Sequence, residues 1–108
     1  MTSLAQQQCK PCQEGAEPLK GDQLQNLASE LDGWDVVNEH HLHKVYKQDD
    51  WSGTMEKVNQ IGQIADRQNH HPDLEVHYGK VAVTIYTHKI DGLTQSDFVL
   101  AAKIDQAD

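Results

Sequence analysis

The chain has 108 residues, 37% hydrophobic and 24% charged, the size and balance of one globular domain with a modest two-layer core. Nine basic against seventeen acidic residues give a net charge of −8, which repels phosphate backbones and argues against direct nucleic-acid binding. No apolar run approaches the roughly 20 residues that cross a bilayer, so no membrane association is expected.

The opening MTSLAQQQCKPC has neither the basic nor the apolar stretch of a signal peptide, and a cytoplasmic location follows as the expectation. Its two cysteines, Cys9 and Cys12, are spaced as CKPC in a Gln-rich segment. Structural zinc takes four ligands and no second pair completes the set. A redox pair usually opens a helix after a strand, which this segment does not. Residues 1–20 are therefore expected to be a flexible polar leader with reduced thiols, and residues 21–108 a single domain.

From Gly21 onward the pattern is regular. Leu24, Leu27, Ala28 and Leu31 recur at helical spacing, with Asp22 as candidate N-cap and Asp32-Gly33 as the stop. Trp34 to Asn38 reads as a short strand, Glu39-His40-His41 as a polar corner, and Leu42 to Lys47 as a second strand. Asp49 or Asp50 can cap the next helix, whose stripe is Trp51, Met55, Val58, Ile61, Gly62 and Ala65. Pro72 disfavours helical geometry at His71, so this helix should finish near 69–71.

Leu74, Val76 and Tyr78 then alternate with polar residues, as do Val81, Val83, Ile85 and Thr87 with their neighbours. A type II′ turn at Gly79-Lys80 would set Tyr78 against Val81 and His71 against His88. Leu93 to Phe98 starts the last helix, with a capping box at Thr94 and Asp97 and Leu93 stapled onto Phe98. Helix, two strands, helix, two strands, helix predicts an α+β fold: a two-layer, four-stranded antiparallel sheet with helices packed on one face.

Seven histidines stand in the chain, four of them between residues 70 and 88. Adjacent histidines point apart in regular structure, and neither the spacing nor a nearby cysteine gives a metal-ligand signature. An acid-base site suits them better: imidazole titrates near neutral pH, so one ring can take a proton while another gives one. His70, His71 and His88 are the candidates, since a proline break and a hairpin can bring them together. His40, His41, His43 and His77 read as solvent-facing strand and corner residues.

Asp66-x-x-x-His70-His71-Pro72, then Tyr78, His88 and Asp97 at fixed gaps, resembles the signature of the pterin-4a-carbinolamine dehydratase family. Gly33-Trp34, Thr87-His88 and Gly92-Leu93-Thr94 resemble it as well, so that the likeness spans about residues 21 to 105. The resemblance implies an enzyme without metal or organic cofactor that dehydrates 4a-hydroxytetrahydropterin to quinonoid dihydropterin. That step recycles the pterin cofactor of an aromatic amino-acid hydroxylase. It also implies a homo-oligomer, dimer or tetramer, and His70, His71 and His88 as catalytic groups.

Around them, Asp66, Asn69, Pro72 and Thr87 are expected to border the pterin. Asp66, one helical turn before His70, should face the same pocket. Trp34 has two readings, a stacking surface for the ligand or core filling. Asp97 reads foremost as a helix cap, although the signature includes it. Some members of the family act instead as non-catalytic protein-interaction modules that stabilise a transcription-factor dimer, which is the alternative function.

Overall fold

The computed structural model describes residues 4–7, 9 and 17–107. Three helices, α1 (Gly21–Ala28), α2 (Trp51–Gln68) and α3 (Gln95–Gln106), accompany four strands: β1 (Asp35–Val37), β2 (His41–Lys47), β3 (Asp73–His77) and β4 (Lys80–Ile85). The sheet is antiparallel in the order β1-β2-β4-β3, the α+β architecture expected. One face is apolar because of the period-2 register. Leu42 pairs with Ile85 and Tyr46 with Val81 across the central strands, and all four are buried. Against them pack Leu24, Ile61, Phe98, Leu100 and Ile104 from the helices. His43, Thr84 and Lys47 point from the opposite face.

The ends of the helices explain their lengths. Asp50 caps α2, its Oδ1 accepting the Gly53 N–H at 2.7 Å. Asn69 ends the same helix in the left-handed region (φ 52°), while the His70 N–H reaches back to the Ala65 carbonyl. Thr94 and Asp97 form the capping box at the start of α3, and Leu93 and Phe98 beside it are fully buried. Asp22 is not a cap: Lys20 holds the N-cap position of α1 and Asp22 sits in its first turn. That helix ends at Ala28, earlier than Asp32-Gly33 would place its stop. Strand β1 is also shorter than expected, because Asn38 and Glu39 both adopt positive φ and the His40 N–H donates to the Val37 carbonyl.

The second hairpin corrects the expected register. Its two-residue turn is Tyr78-Gly79, with His77 opposite Lys80 and Val76 opposite Val81. Gly79 takes φ 75° at the second central position, not the first. Two contacts hold it there: its N–H donates to Thr54 Oγ1 at 3.0 Å, and its carbonyl accepts the Gln48 N–H at 2.8 Å. The start of α2 and the end of β2 thus decide which residues turn. A shift of two residues keeps every side chain on its expected face but removes the His71–His88 pairing. Strand β3 begins only at Asp73, so neither histidine lies on a paired strand.

Part of the leader is seated on the domain. Leu4 to Gln6 form a 3-10 turn with Leu4 buried, and Lys103 Nζ donates to the Ala5 carbonyl at 2.8 Å. Cys9 is half-buried, its thiol donating to the Ser96 carbonyl at 3.4 Å. Burial pushes that thiol up to about 11, with Lys103 opposing the rise and Asp97 adding to it. Cys12 lies outside the described residues. Among those described, no helix is long and apolar enough to cross a membrane.

Gly79→Ala tests the turn. A Cβ there would meet the Gln48 carbonyl oxygen at 3.0 Å. Left-handed backbone adds about 1–2 kcal/mol for a non-glycine residue. Thermal unfolding should shift down by roughly 4–8 °C for each kcal/mol lost in a domain of this size.

Candidate active site

Three chain segments meet at the N-terminal end of α3. The first is 69–72, between α2 and β3, with Asp73 at the start of that strand. The second runs from the end of β4 into a 3-10 turn, His88–Ile90. The third is the cap of α3. Between them opens a cleft of about 390 Å³ lined by His70, His71 and His88 together with Asn69, Pro72, Asp73, Tyr86 and Thr87. The sheet does not build this site directly; the turns at its end do.

Asp97 organises the cleft from beneath. It is wholly buried, and each oxygen of its carboxylate is occupied. Oδ2 accepts the Thr94 N–H and the Thr87 hydroxyl, both at 2.8 Å. Oδ1 accepts from His70 Nε2 at 2.5 Å. An ionised carboxylate only accepts, so Nε2 is the donating nitrogen of His70 in this contact. A charge-assisted bond of this length also fixes the ring.

The other two histidines have looser, more exposed partners. His71 Nε2 lies 3.3 Å from Asp66 Oδ1. His88 Nε2 lies 3.6 Å from Asp73 Oδ2, an ion-pair distance too long for a hydrogen bond. Their side chains are 59% and 57% exposed, against 17% for His70. Water therefore screens those two carboxylates, while the His70–Asp97 contact is sheltered.

Several expected site residues stand elsewhere. Asp66 faces His71 rather than His70 and does not line the histidine cleft. The helical-turn argument breaks because Asn69 ends α2 between them and swings His70 toward α3. Asp97 acts from below the cleft, without a surface in it. Trp34 is not at the cleft. Its indole N–H donates to Asp105 Oδ2 at 2.9 Å and its ring meets Tyr46 edge-on at 6.3 Å. Asp105 lies eight residues beyond Asp97 on α3, about 12 Å along the axis. Of the two readings of Trp34, packing against the core is the one observed.

Tyr86, Asp73 and His40 carry no motif that marks them in the sequence, yet all three belong to the site or its support. Tyr86 lines the cleft and its ring lies 4.3 Å from that of His88. The alternation read from the sequence already puts Tyr86 and His88 on one side, although β4 ends at Ile85 and neither lies on it. His40 and His41 are half-buried rather than solvent-facing, and burial, then the neighbouring His40 and His43, hold His41 below the usual imidazole range. Among the described residues no three His, Cys, Asp or Glu side chains are grouped to hold a metal ion.

The profile of the family described as pterin 4 alpha carbinolamine dehydratase matches residues 17–107. The chain belongs to this family. A putative pterin-4-alpha-carbinolamine dehydratase of Rubrobacter xylanophilus is 48% identical over 106 residues, covering 98% of this chain and 99% of that protein. The protein of the same description from Alkaliphilus metalliredigens is 44% identical over 107 residues, 98% of this chain and 96% of its own. Among solved structures, a transcriptional coactivator/pterin dehydratase from Brucella melitensis superposes with a TM-score of 0.77 at 27% identity. That match covers 83% of this chain and 97% of the Brucella one.

Removing the central carboxylate should cost both cap and ring anchor. Asp97→Ala leaves the Thr87 hydroxyl and the Thr94 N–H without their acceptor, and a loss of about 2–3 kcal/mol in urea unfolding is expected. Asp66→Ala, on an exposed oxygen, should change stability by less than about 0.5 kcal/mol.

Proposed function

We propose that the protein dehydrates a 4a-hydroxytetrahydropterin by acid-base catalysis from His70, His71 and His88. The observation that carries this is the convergence of three imidazoles on one cleft, each beside its own carboxylate but at graded burial.

The reaction breaks the C4a–O bond and the N5–H bond and forms a C4a=N5 double bond, giving quinonoid dihydropterin and water. It needs a base for the N5 proton and an acid for the departing hydroxyl. His70 suits the base: Asp97 holds its proton on Nε2, so Nδ1 offers a lone pair, and the imidazolium formed on proton uptake faces a buried anion. His71 and His88 suit the acid, since both side chains are more than half exposed and can exchange protons with water. Asn69, Pro72 and Thr87 border the ring, and Asp66 acts on it through His71.

With this activity goes a place after an aromatic amino-acid hydroxylase, whose used pterin the protein would return toward its quinonoid form. A cytoplasmic homo-oligomer is the form in which we expect it to act. The coactivator wording attached to the Brucella neighbour supports a second reading, a protein-interaction module. That module would tolerate loss of the cleft histidines.

Freshly generated 4a-carbinolamine followed by stopped-flow absorbance separates the two. Alanine at His70, His71 or His88 should each lower kcat/KM by about 10²–10⁴. A His88→Ala protein with near-wild-type catalysis would sink the assignment.

A further inference from the structure

His88 lacks the anchor that His70 has. It stands on a single 3-10 turn, more than half exposed, with its nearest carboxylate beyond hydrogen-bond reach. An imidazole so placed samples several rotamers unless something packs against it. Tyr86 does so, at 4.3 Å between ring centres and 60° between planes.

Tyr86 has a second imidazole against it. The His40 ring lies 4.6 Å from it. His40 is presented by the tight turn at Asn38 and Glu39, and its Nε2 donates to Asp91 Oδ1 at 2.7 Å. Asp91 in turn ends the 3-10 turn that carries His88: it is left-handed (φ 52°) and its N–H donates to the His88 carbonyl. The contacts close into a ring, from His88 through its own turn to Asp91, across to His40, onto Tyr86 and back to His88. Neither His40 nor Asp91 lines the cleft.

We infer that His40 and Asp91 are positioning residues for His88, a latch between the β1–β2 turn and the turn bearing the imidazole. The kinetic consequence rests on the dehydratase reading above; the geometric one does not. Because the Asp91 side chain is 84% exposed, its charge is screened, and the latch acts mainly by direction and packing. Asparagine accepts a hydrogen bond and tolerates left-handed backbone, so Asp91→Asn should keep part of the latch where Asp91→Ala loses it.

Two readouts test the inference. In stopped-flow dehydration, His40→Ala and Asp91→Ala should lower kcat roughly tenfold with KM within about twofold, and Asp91→Asn only about threefold. In NMR spectra of the ligand-free protein, cross-relaxation between the Tyr86 and His88 rings should weaken in both alanine variants and persist in Asp91→Asn. Asp91→Ala carries the same expectations should the His40 variant fail to fold. Wild-type kcat together with undiminished cross-relaxation in His40→Ala would overturn the latch while leaving the dehydratase reading intact. Cross-relaxation that weakens as expected, in a protein whose wild type dehydrates no carbinolamine, would sustain the latch and overturn the catalytic reading.

Discussion

A carboxylate with no access to water must find every one of its donors inside the protein, and Asp97 draws them from three separate segments: Thr94 at its own cap, Thr87 beyond the end of β4, and His70 beyond the end of α2. Leaving a buried anion short of donors costs more than the bonds themselves contribute. The three segments are therefore held together by the same constraint that builds the cleft. Capping a helix and orienting an imidazole are usually separate tasks; here one side chain does both, one through each oxygen. The hydrophobic core gathers Phe98 of α3 with Val83 and Ile85 of β4 in one buried cluster, and Asp97 adds a fixed arrangement of polar groups at its edge.

One sheltered and two exposed histidines give chemically equal side chains unequal surroundings. A sheltered carboxylate holds His70 in one orientation. His71 and His88 keep contact with solvent. Rigid support and solvent access compete: His88 has gained the second and lost most of the first. The aromatic contact with Tyr86, backed by His40, restores direction without burying the ring.

The layers of the fold were legible in the sequence because they depend on periodicity and caps, which are local. Asp50, Thr94 with Asp97, and the break before Pro72 all sit where local chemistry places them. What local chemistry could not reveal was competition between segments. Gly79 takes the second turn position, not the first, because Thr54 and Gln48, 25 and 31 residues earlier in the chain, supply its hydrogen-bond partners. Asp66 turns to His71 because a single left-handed residue redirects the chain. Trp34 goes to Asp105 because a half-buried indole N–H seeks an acceptor. The catalytic candidates were visible as a signature of residue types at fixed gaps; their carboxylate partners were only partly so, since Asp73 and Asp91 acquire meaning only once the turns are drawn.

Those turns account for where the site is. A sheet fixes its residues by a repeating ladder that allows little local adjustment, and the cleft histidines all lie just past the ends of strands or helices, where the ladder has stopped. Left-handed backbone at Asn38, Asn69 and Asp91 marks each such departure. A left-handed single residue is unfavourable for most side chains, least so for Asn and Asp, and each of these three redirects a segment that carries or supports an imidazole. Among the described residues the left-handed non-glycine positions, Glu39 included, thus gather at one end of the sheet, and the Asp97 carboxylate and the His40–Asp91 contact make that end determinate.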